Sequence, residues 1–211
     1  IHIFANQWTP SNHPNVHIHH VPTYNFNSFI RTLSFAWFSA RAVKREFFDI
    51  IQSHEKTWRQ DVYRVGDGCH SEWITQRKRF LPTLKGFFLC LNPFHRLILK
   101  LEQNMFESGQ CRKFIAISEM VKEDILRHYH CPPENISVVY NGVDLQRFNP
   151  ENKDKYRKNI RKELDIPENS TLIIFVGSGF ERKGLKYLLQ ATKFLHSEDW
   201  RLLIMGKGKW H

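Results

Sequence analysis

The chain is short of acidic residues, of paired cysteines and of long apolar runs, and each shortage narrows what it can be. Asp plus Glu number 21 against 31 Lys plus Arg, a formal charge of +10 over 211 residues. An excess of this size favours anionic partners: nucleic acid, an anionic membrane surface or a phosphorylated substrate. It does not choose between them. The cysteines, Cys69, Cys90, Cys111 and Cys131, are widely spaced with no C-x-x-C pair. Neither a zinc site nor a redox pair is indicated, and reduced thiols in a cytosolic protein are the expectation. No run of about eighteen apolar residues occurs, so no segment qualifies as a membrane-spanning helix. Hydrophobic content of 41% with 25% charged residues is an ordinary globular balance, enough for one large domain or two modest ones.

The most informative stretch is T-L-I-I-F-V-G-S-G-F-E-R-K-G at residues 171–184. Its apolar, β-branched run 172–176 suits a strand buried on both faces. Gly177 and Gly179 then allow a sharp turn and a close approach of the backbone to a guest. Arg182 and Lys183 stand at the mouth of that turn. Leu185, Leu188, Leu189, Thr192 and Leu195 share one face of a following helix. Residues 200–205 form the next strand, closed by Gly206 and Gly208. This is a β-α-β unit, and ligands of such sheets sit beyond the carboxyl ends of the strands. Glycines, backbone N–H groups and two cations at that edge suit an anion. The same pattern also suits an ordinary strand-to-helix turn with two surface cations. The G-x-G has neither the later glycine of the dinucleotide fingerprint nor the G-K-[ST] ending of the P-loop.

Upstream, residues 1–5 and 16–21 read as strands around a loop containing Pro10, Ser11, Asn12 and Pro14. His17 and His19 share a strand face, but no cysteine or acid is spaced to join them and His20. Solvent-facing or loosely packed histidines are expected there, not metal ligands. Residues 29–48 keep helical spacing. A short strand at 49–53 delivers His54 and Glu55 at its carboxyl end, where a neutral-range histidine can polarise a hydroxyl or donate to a leaving group. A capping histidine fits that position equally well. Strands at 62–65, 113–117 and 136–140 alternate with helices at 71–80, 93–107 and after Ser118, the first two helices joined by a segment with Pro82, Gly86 and Pro93. Trp73, Phe80, Leu84, Phe87, Phe88, Leu89 and Leu91 mix with Arg77, Lys78, Arg79 and Lys85. This mixture reads as core helices with solvated outer faces, with membrane-surface contact as the alternative. Asp144 to Pro150 reads as a linker, so a first domain over residues 1–140 and a second over 141–211 are expected.

Several spaced motifs agree in order with one family. F-I-A-I-S at 114–118, a helix, then Tyr129, Pro133, Ile136, Val138 and N-G-V-D-x-x-x-F-x-P at 141–150 resemble the retaining, nucleotide-sugar-dependent glycosyltransferases of the glycogen synthase and sucrose synthase group. F-V-G at 175–177, K-G-L at 183–185 and L-I-M-G-x-G at 203–208 continue the likeness. D-V-Y-R-x-G-D-G at 61–68 with the basic aromatic helix after it, and F-E-R-K-G at 180–184, are similar to lipopolysaccharide core glucosyltransferases of the glucosyltransferase I type.

The resemblance implies an α/β protein of the GT-B type, two Rossmann-like domains facing across a cleft, both incomplete in this chain. It implies transfer of a hexose with retention from a nucleoside-diphosphate sugar, UDP-glucose in the narrower likeness, to a glycan or lipid-linked acceptor such as the heptose of the lipopolysaccharide inner core. No metal and no cofactor beyond that co-substrate is implied. His54, Arg182 and Lys183 become the catalytic candidates, with Gly177, Gly179 and Gly206 beside the diphosphate. His54 matches the family's acceptor-side histidine. The family more often has Arg directly after the first glycine, where this chain has Ser178, so Arg182 takes the role of diphosphate partner. A cytoplasmic location, peripheral on an anionic inner membrane face, follows in the subgroup. The chain opens at Ile1 and the family's glycine-rich loop and paired glutamates are not in it; a fragment that is inactive by itself is expected. A transferase-like structural domain is the alternative, and a basic nucleic-acid-binding α/β protein a more distant one.

Overall fold

The structure, a computed structural model, describes residues 1–9, 13–196 and 199–208. Residues 10–12 of the expected first loop lie outside the described residues. The chain divides into two compact units, Ile1–Gly142 and Val143–His211.

The first unit is built on parallel strands. β1 (His2–Ala5) pairs with β2 (His17–His20). A separate four-stranded sheet has the order β3 (Gln52–Ser53), β4 (Val62–Val65), β5 (Lys113–Ala116) and β6 (Ile136–Val138), all parallel. Parallel neighbours require crossovers, and the helices supply them: α1 (Ser28–Ala42), α2 (His70–Arg79), α3 (Thr83–Leu91), α4 (Pro93–Glu107) and α5 (Glu119–His128). Their starts are encoded locally. Asn27 Oδ1 accepts the N–H of Ile30 at 2.9 Å, Asn92 Oδ1 that of Phe94 at 2.9 Å, and Ser118 Oγ that of Val121 at 3.2 Å. Each satisfies a helix-start donor, and Pro93 at the first position of α4 has no N–H to lose.

The core of this unit lies against one face of the sheet. Tyr63, Val65, Phe114, Ala116 and Ile136 alternate inward and meet Met105 and Phe106 of α4 with Val121 and Ile125 of α5. Cys69, Cys111 and Cys131 line the same core as buried free thiols, and Cys90 is a free thiol at partial exposure. Burial pushes the Cys69 and Cys131 thiols up to about 11 and Cys111 to about 12.

The second unit carries α6 (Asn152–Glu163), β7 (Thr171–Val176), the one-turn α7 (Phe180–Lys183), α8 (Leu185–Ala191) and β8 (Trp200–Met205). β7 and β8 are parallel and in register from Thr171↔Trp200 to Val176↔Met205. Buried Arg161 ties α6 to the loop before β7, donating to the Pro167 and Ser170 carbonyls.

Five expectations need correction. The segment 83–91 is a helix, α3: Pro82 stands at its N-cap position, where its carbonyl accepts the Gly86 N–H, and buried Gly86 faces Lys78 of α2. The aromatic patch is not core: Phe80 is 76% exposed, Phe87 62% and Phe88 61%, with Leu84 and Leu91 also exposed. The strand expected at 49–53 keeps only Gln52–Ser53, because Ile51 is held by the Asp61 side chain and backbone instead. Among the described residues β7 is not covered on both faces, since Ile174 and Val176 of the two-stranded β7–β8 sheet are exposed. The first helix also ends at Ala42, short of Phe47. Among the described residues no helix is long and apolar enough to cross a membrane.

Candidate active site

Two strand edges carry the residues singled out by the sequence. In the second unit, the carboxyl ends of β7 and β8 abut through glycines. The Gly177 N–H donates to the Met205 carbonyl at 2.9 Å, and the Gly179 N–H to the Lys207 carbonyl at 2.7 Å. Gly206, at φ 146, lies where a Cβ would stand 2.0 Å from the Gly177 carbonyl oxygen. A Cβ at Gly208 would stand 2.5 Å from the Phe180 ring. Only glycine fits such contacts.

Arg182 and Lys183 follow from this turn. Gly179 is left-handed at φ 79, and α7 begins directly after it. Lys183 sits one helical turn on, its N–H donating to the Gly179 carbonyl at 3.0 Å. The helix then stops at left-handed Gly184. The Lys183 stem folds back over Gly177, with Cγ 3.1 Å from where a Cβ would be, and Arg182 Nε lies 3.9 Å from the same point on Gly179. The structure therefore brings Gly177, Gly179, Arg182, Lys183 and Gly206 together at one exposed edge. The two glycine N–H groups are engaged by β8 and its following loop, so positive charge here comes from side chains. Lys207, whose carbonyl closes the turn, adds a third cation to the edge.

In the first unit, the carboxyl ends of β3 and β4 lie side by side and carry His54, Glu55 and Lys56 beside Gly66, Asp67 and Gly68. His54 is exposed; the Gln52 amide N–H donates to its Nε2 at 3.1 Å. The Ser53 hydroxyl is buried and has no hydrogen-bond partner among the described residues. Glu55 keeps solvent contact, yet desolvation and then the Asp67 charge raise its carboxyl above the ordinary range; Lys56, His54 and Arg31 pull it back. Arg64, whose guanidinium lies over Gly66, donates to Asn141 Oδ1 at the end of the unit. Asp67 and Arg64 belong to the D-V-Y-R-x-G-D-G motif at 61–68 but were not among the candidate site residues. Their signal was there: G-D-G ends a strand at the edge where α/β sheets place working groups. His2 Nδ1 lies 2.9 Å from His19 Nε2, and His19 stacks on Phe4, so these histidines pair with one another across β1 and β2. Among the described residues no group of three or more His, Cys, Asp or Glu could hold a metal.

Parallel sheets flanked by helices, in two units, match the GT-B architecture of glycosyltransferases. The chain belongs to Glycosyltransferase Family 4, whose family model matches residues 1–147. A second model, Glycosyl transferases group 1, matches residues 156–211. Lipopolysaccharide glucosyltransferase WaaG of Escherichia coli K12 is 28% identical over 152 residues, 71% of this chain and 39% of that protein. The D-inositol 3-phosphate glycosyltransferase of Corynebacterium kroppenstedtii is 35% identical over 109 residues, 50% of this chain and 24% of its own length. The crystal structure of WaaG, a glycosyltransferase involved in lipopolysaccharide biosynthesis, superposes with a TM-score of 0.79 at 22% identity, covering 99% of this chain and 55% of that one. The chain thus spans well under two thirds of the length of these relatives.

Proposed function

We propose that the protein to which this chain belongs transfers a hexose, with retention, from a nucleoside-diphosphate sugar to a glycan or glycolipid acceptor. UDP-glucose as donor and an inner-core heptose as acceptor fit best. Residues 1–140 supply the acceptor side and residues 141–211 begin the donor side. The observation that carries this reading is the β7–β8 edge, where Arg182 and Lys183 fold over Gly177 and Gly179.

The chemistry follows from charge. The bond from the sugar's anomeric carbon to the diphosphate breaks, and negative charge builds on the leaving phosphate. Arg182 and Lys183 offset it, as preorganised cations do most effectively in a closed, water-poor site. The glycines keep side-chain bulk away from the diphosphate. The acceptor hydroxyl attacks the same face of the anomeric carbon and passes its proton to the leaving phosphate oxygen, so configuration is retained. His54 acts on the reacting sugar, with Glu55 its neighbour.

The exposed α3 adds a location. Phe87 lines one hollow with Lys78 of α2, next to Arg77 and Arg79 in sequence, and α4, which packs on α3, carries exposed Arg96 and Lys100, on a chain of charge +10. Basic residues around an apolar helix suit the cytoplasmic face of an anionic bilayer, where a lipid-linked acceptor would be found.

The test is transfer itself. Full-length protein is incubated with labelled UDP-glucose and lipopolysaccharide truncated after the inner-core heptoses. Label in the glycolipid with unchanged anomeric configuration is expected. No transfer from UDP-, GDP- or ADP-hexoses to any glycan acceptor, with tighter binding to RNA than to UDP, overturns the reading.

A further inference from the structure

One carboxylate is buried where three segments of the first unit meet. Glu102, on α4, is 1% exposed. Its Oε1 accepts the backbone N–H of His70 at 2.8 Å, and its Oε2 accepts that of Ser71 at 3.3 Å and the Tyr129 hydroxyl at 2.7 Å. Ser71 and Tyr129 hydroxyls bond to each other at 2.7 Å. Lys56 Nζ lies 3.6 Å from Oε1, its side chain nearly buried. His70 and Ser71 open α2, directly after the Gly66–Asp67–Gly68 turn. Tyr129 closes α5. Lys56 stands two residues beyond His54.

Removing a carboxylate and an ammonium from water is costly unless both are paired and hydrogen-bonded. Packing between α4 and α2 would be served as well by an apolar side chain. What a carboxylate adds is direction, because charge-assisted bonds hold their donors at set positions. The other anchors of the His54 edge are few and local: β3 has two ladder residues, the His54 ring bonds Gln52 on the same strand, and buried Thr57 bonds Gln60 within the following loop, while among the described residues the Ser53 hydroxyl has no partner. The far end of this segment is held by Asp61 on Ile51; the near end is held by Lys56 on Glu102.

We propose that Lys56 and Glu102 are positioning residues that hold the His54–Glu55 edge in register with the Asp67 turn for sugar transfer. This rests on the reading of His54 given above. Neither residue touches the sugar. Glu102 fixes the start of α2, and with it the Asp67 turn, through two backbone N–H groups. Through Lys56 it fixes the segment that carries His54. One buried charge therefore sets the spacing of two neighbouring strand ends.

The experiment uses Lys56→Met in the full-length protein, which removes the ammonium and leaves the other Glu102 bonds intact. Amide exchange over residues 53–58 is expected to quicken by roughly tenfold or more, with Lys113–Ala116 still protected. The turnover number for sugar transfer is expected to fall between about tenfold and 10²-fold, as misplacement of a reacting group does. The Kd for free UDP stays at the wild-type value, the thermal midpoint falls because Glu102 is left buried without its cation, and Lys56→Arg restores both turnover and midpoint. Glu102→Gln, which keeps an acceptor for the α2 N–H groups but not the ion pair, moves exchange the same way. Wild-type exchange in Lys56→Met overturns the tether. Wild-type turnover in Lys56→Met, beside a His54→Ala variant that has lost it, overturns the positioning role. If His54→Ala itself transfers normally, the reading of His54 fails, and the exchange result alone decides whether the tether stands.

Discussion

The stem of Lys183 lies across Gly177, so that a Cβ on the glycine would stand 3.1 Å from Lys183 Cγ and 3.5 Å from Cδ. Gly206 meets the same glycine differently, with its added Cβ 2.0 Å from the Gly177 carbonyl oxygen. One neighbour is a flexible side chain and the other is backbone. Gly206→Ala is therefore expected to break the β7–β8 edge and destabilise the second unit by about 3 kcal/mol or more. Gly177→Ala should leave the fold intact and displace the Lys183 ammonium, weakening UDP binding by roughly tenfold. Denaturant unfolding and calorimetric titration with UDP separate the two; equal loss of stability in both variants would contradict this division.

The Glu102 network makes a stability prediction independent of activity. Glu102→Ala strands two helix-start N–H groups, the Tyr129 hydroxyl and the Lys56 ammonium in a buried site. The expected loss is about 3–5 kcal/mol, that of breaking a buried pair by removing one partner. Tyr129→Phe removes one hydroxyl and should cost about 1 kcal/mol. Tyr129 is held protonated by burial and then by the Glu102 charge, so no pH dependence from its hydroxyl is expected below neutrality. Urea unfolding of both single variants and the double variant reads the coupling directly.

A histidine pair gives the first unit an acid-sensitive side. His70 Nε2 lies 3.1 Å from His95 Nδ1, and both rings pack on Trp73. Burial first, then the neighbouring His95 and Lys56, lower His70 from 6.5 to about 4; burial also lowers His95. A folded value below the unfolded one means the unfolded chain binds more protons in between. Stability is then full above pH 6.5 and is lost as pH falls towards 4. Partial exposure of His70 limits the loss to about 1–2 kcal/mol. Unfolding free energies at pH 7 and pH 5 test this, with His70→Asn expected to flatten the slope; a steeper slope in that variant would assign the effect elsewhere.

Much of this fold is legible because its signals are local. Val62–Val65 and Pro93–Glu107 coincide with their expected ranges: one alternates cleanly, and the other opens on Asn92-Pro93 and keeps helical spacing. The placing of Gly177, Gly179, Arg182 and Lys183 on a strand-to-helix turn was equally local. What failed depended on neighbours distant in sequence. α3 was hidden because Pro82, Gly86 and Pro93 look like loop signals, whereas the structure uses them as a cap, a helix contact and the start of α4. The aromatic patch looked like core because composition cannot say which partner covers a side chain. Glu102 looked like any helix-surface acid; its partners lie 27 to 46 residues away, and no spacing rule links them.

The exposed face of α3 predicts a membrane phenotype without a folding one. Phe80, Phe87 and Phe88 contribute little to the core, so Phe87→Ser with Phe88→Ser should leave stability within about 0.5 kcal/mol per site. Each ring buried in a bilayer is worth roughly 1.5–3 kcal/mol, so partitioning onto anionic vesicles should fall by at least tenfold. Replacing Lys78 and Arg79 with Gln should weaken the same binding by about 1 kcal/mol per charge and reduce its salt dependence. Sedimentation with vesicles rich in anionic lipid and with zwitterionic vesicles distinguishes the terms. Equal, salt-insensitive binding to both kinds would rule out electrostatic attachment.

The sharpest mechanistic prediction separates Arg182 from Lys183. Both are exposed on a single turn of helix, and both stems fold towards the glycines, but Lys183 makes the closer contact. A cation that meets the diphosphate mainly as charge builds should affect turnover more than binding of the free nucleotide. Lys183→Ala and Arg182→Ala are each expected to lower turnover by roughly 10²–10³, the range for loss of one donor to a developing oxyanion. Binding of free UDP should weaken less, since the product diphosphate is also held by the partner that remains. Steady-state transfer and calorimetry on the full-length protein give both quantities for each variant. Near wild-type turnover in both removes this edge from the mechanism. A large loss in Lys183→Ala alone makes Arg182 a surface residue, and Lys207, whose carbonyl already closes the turn, then becomes the next residue to replace.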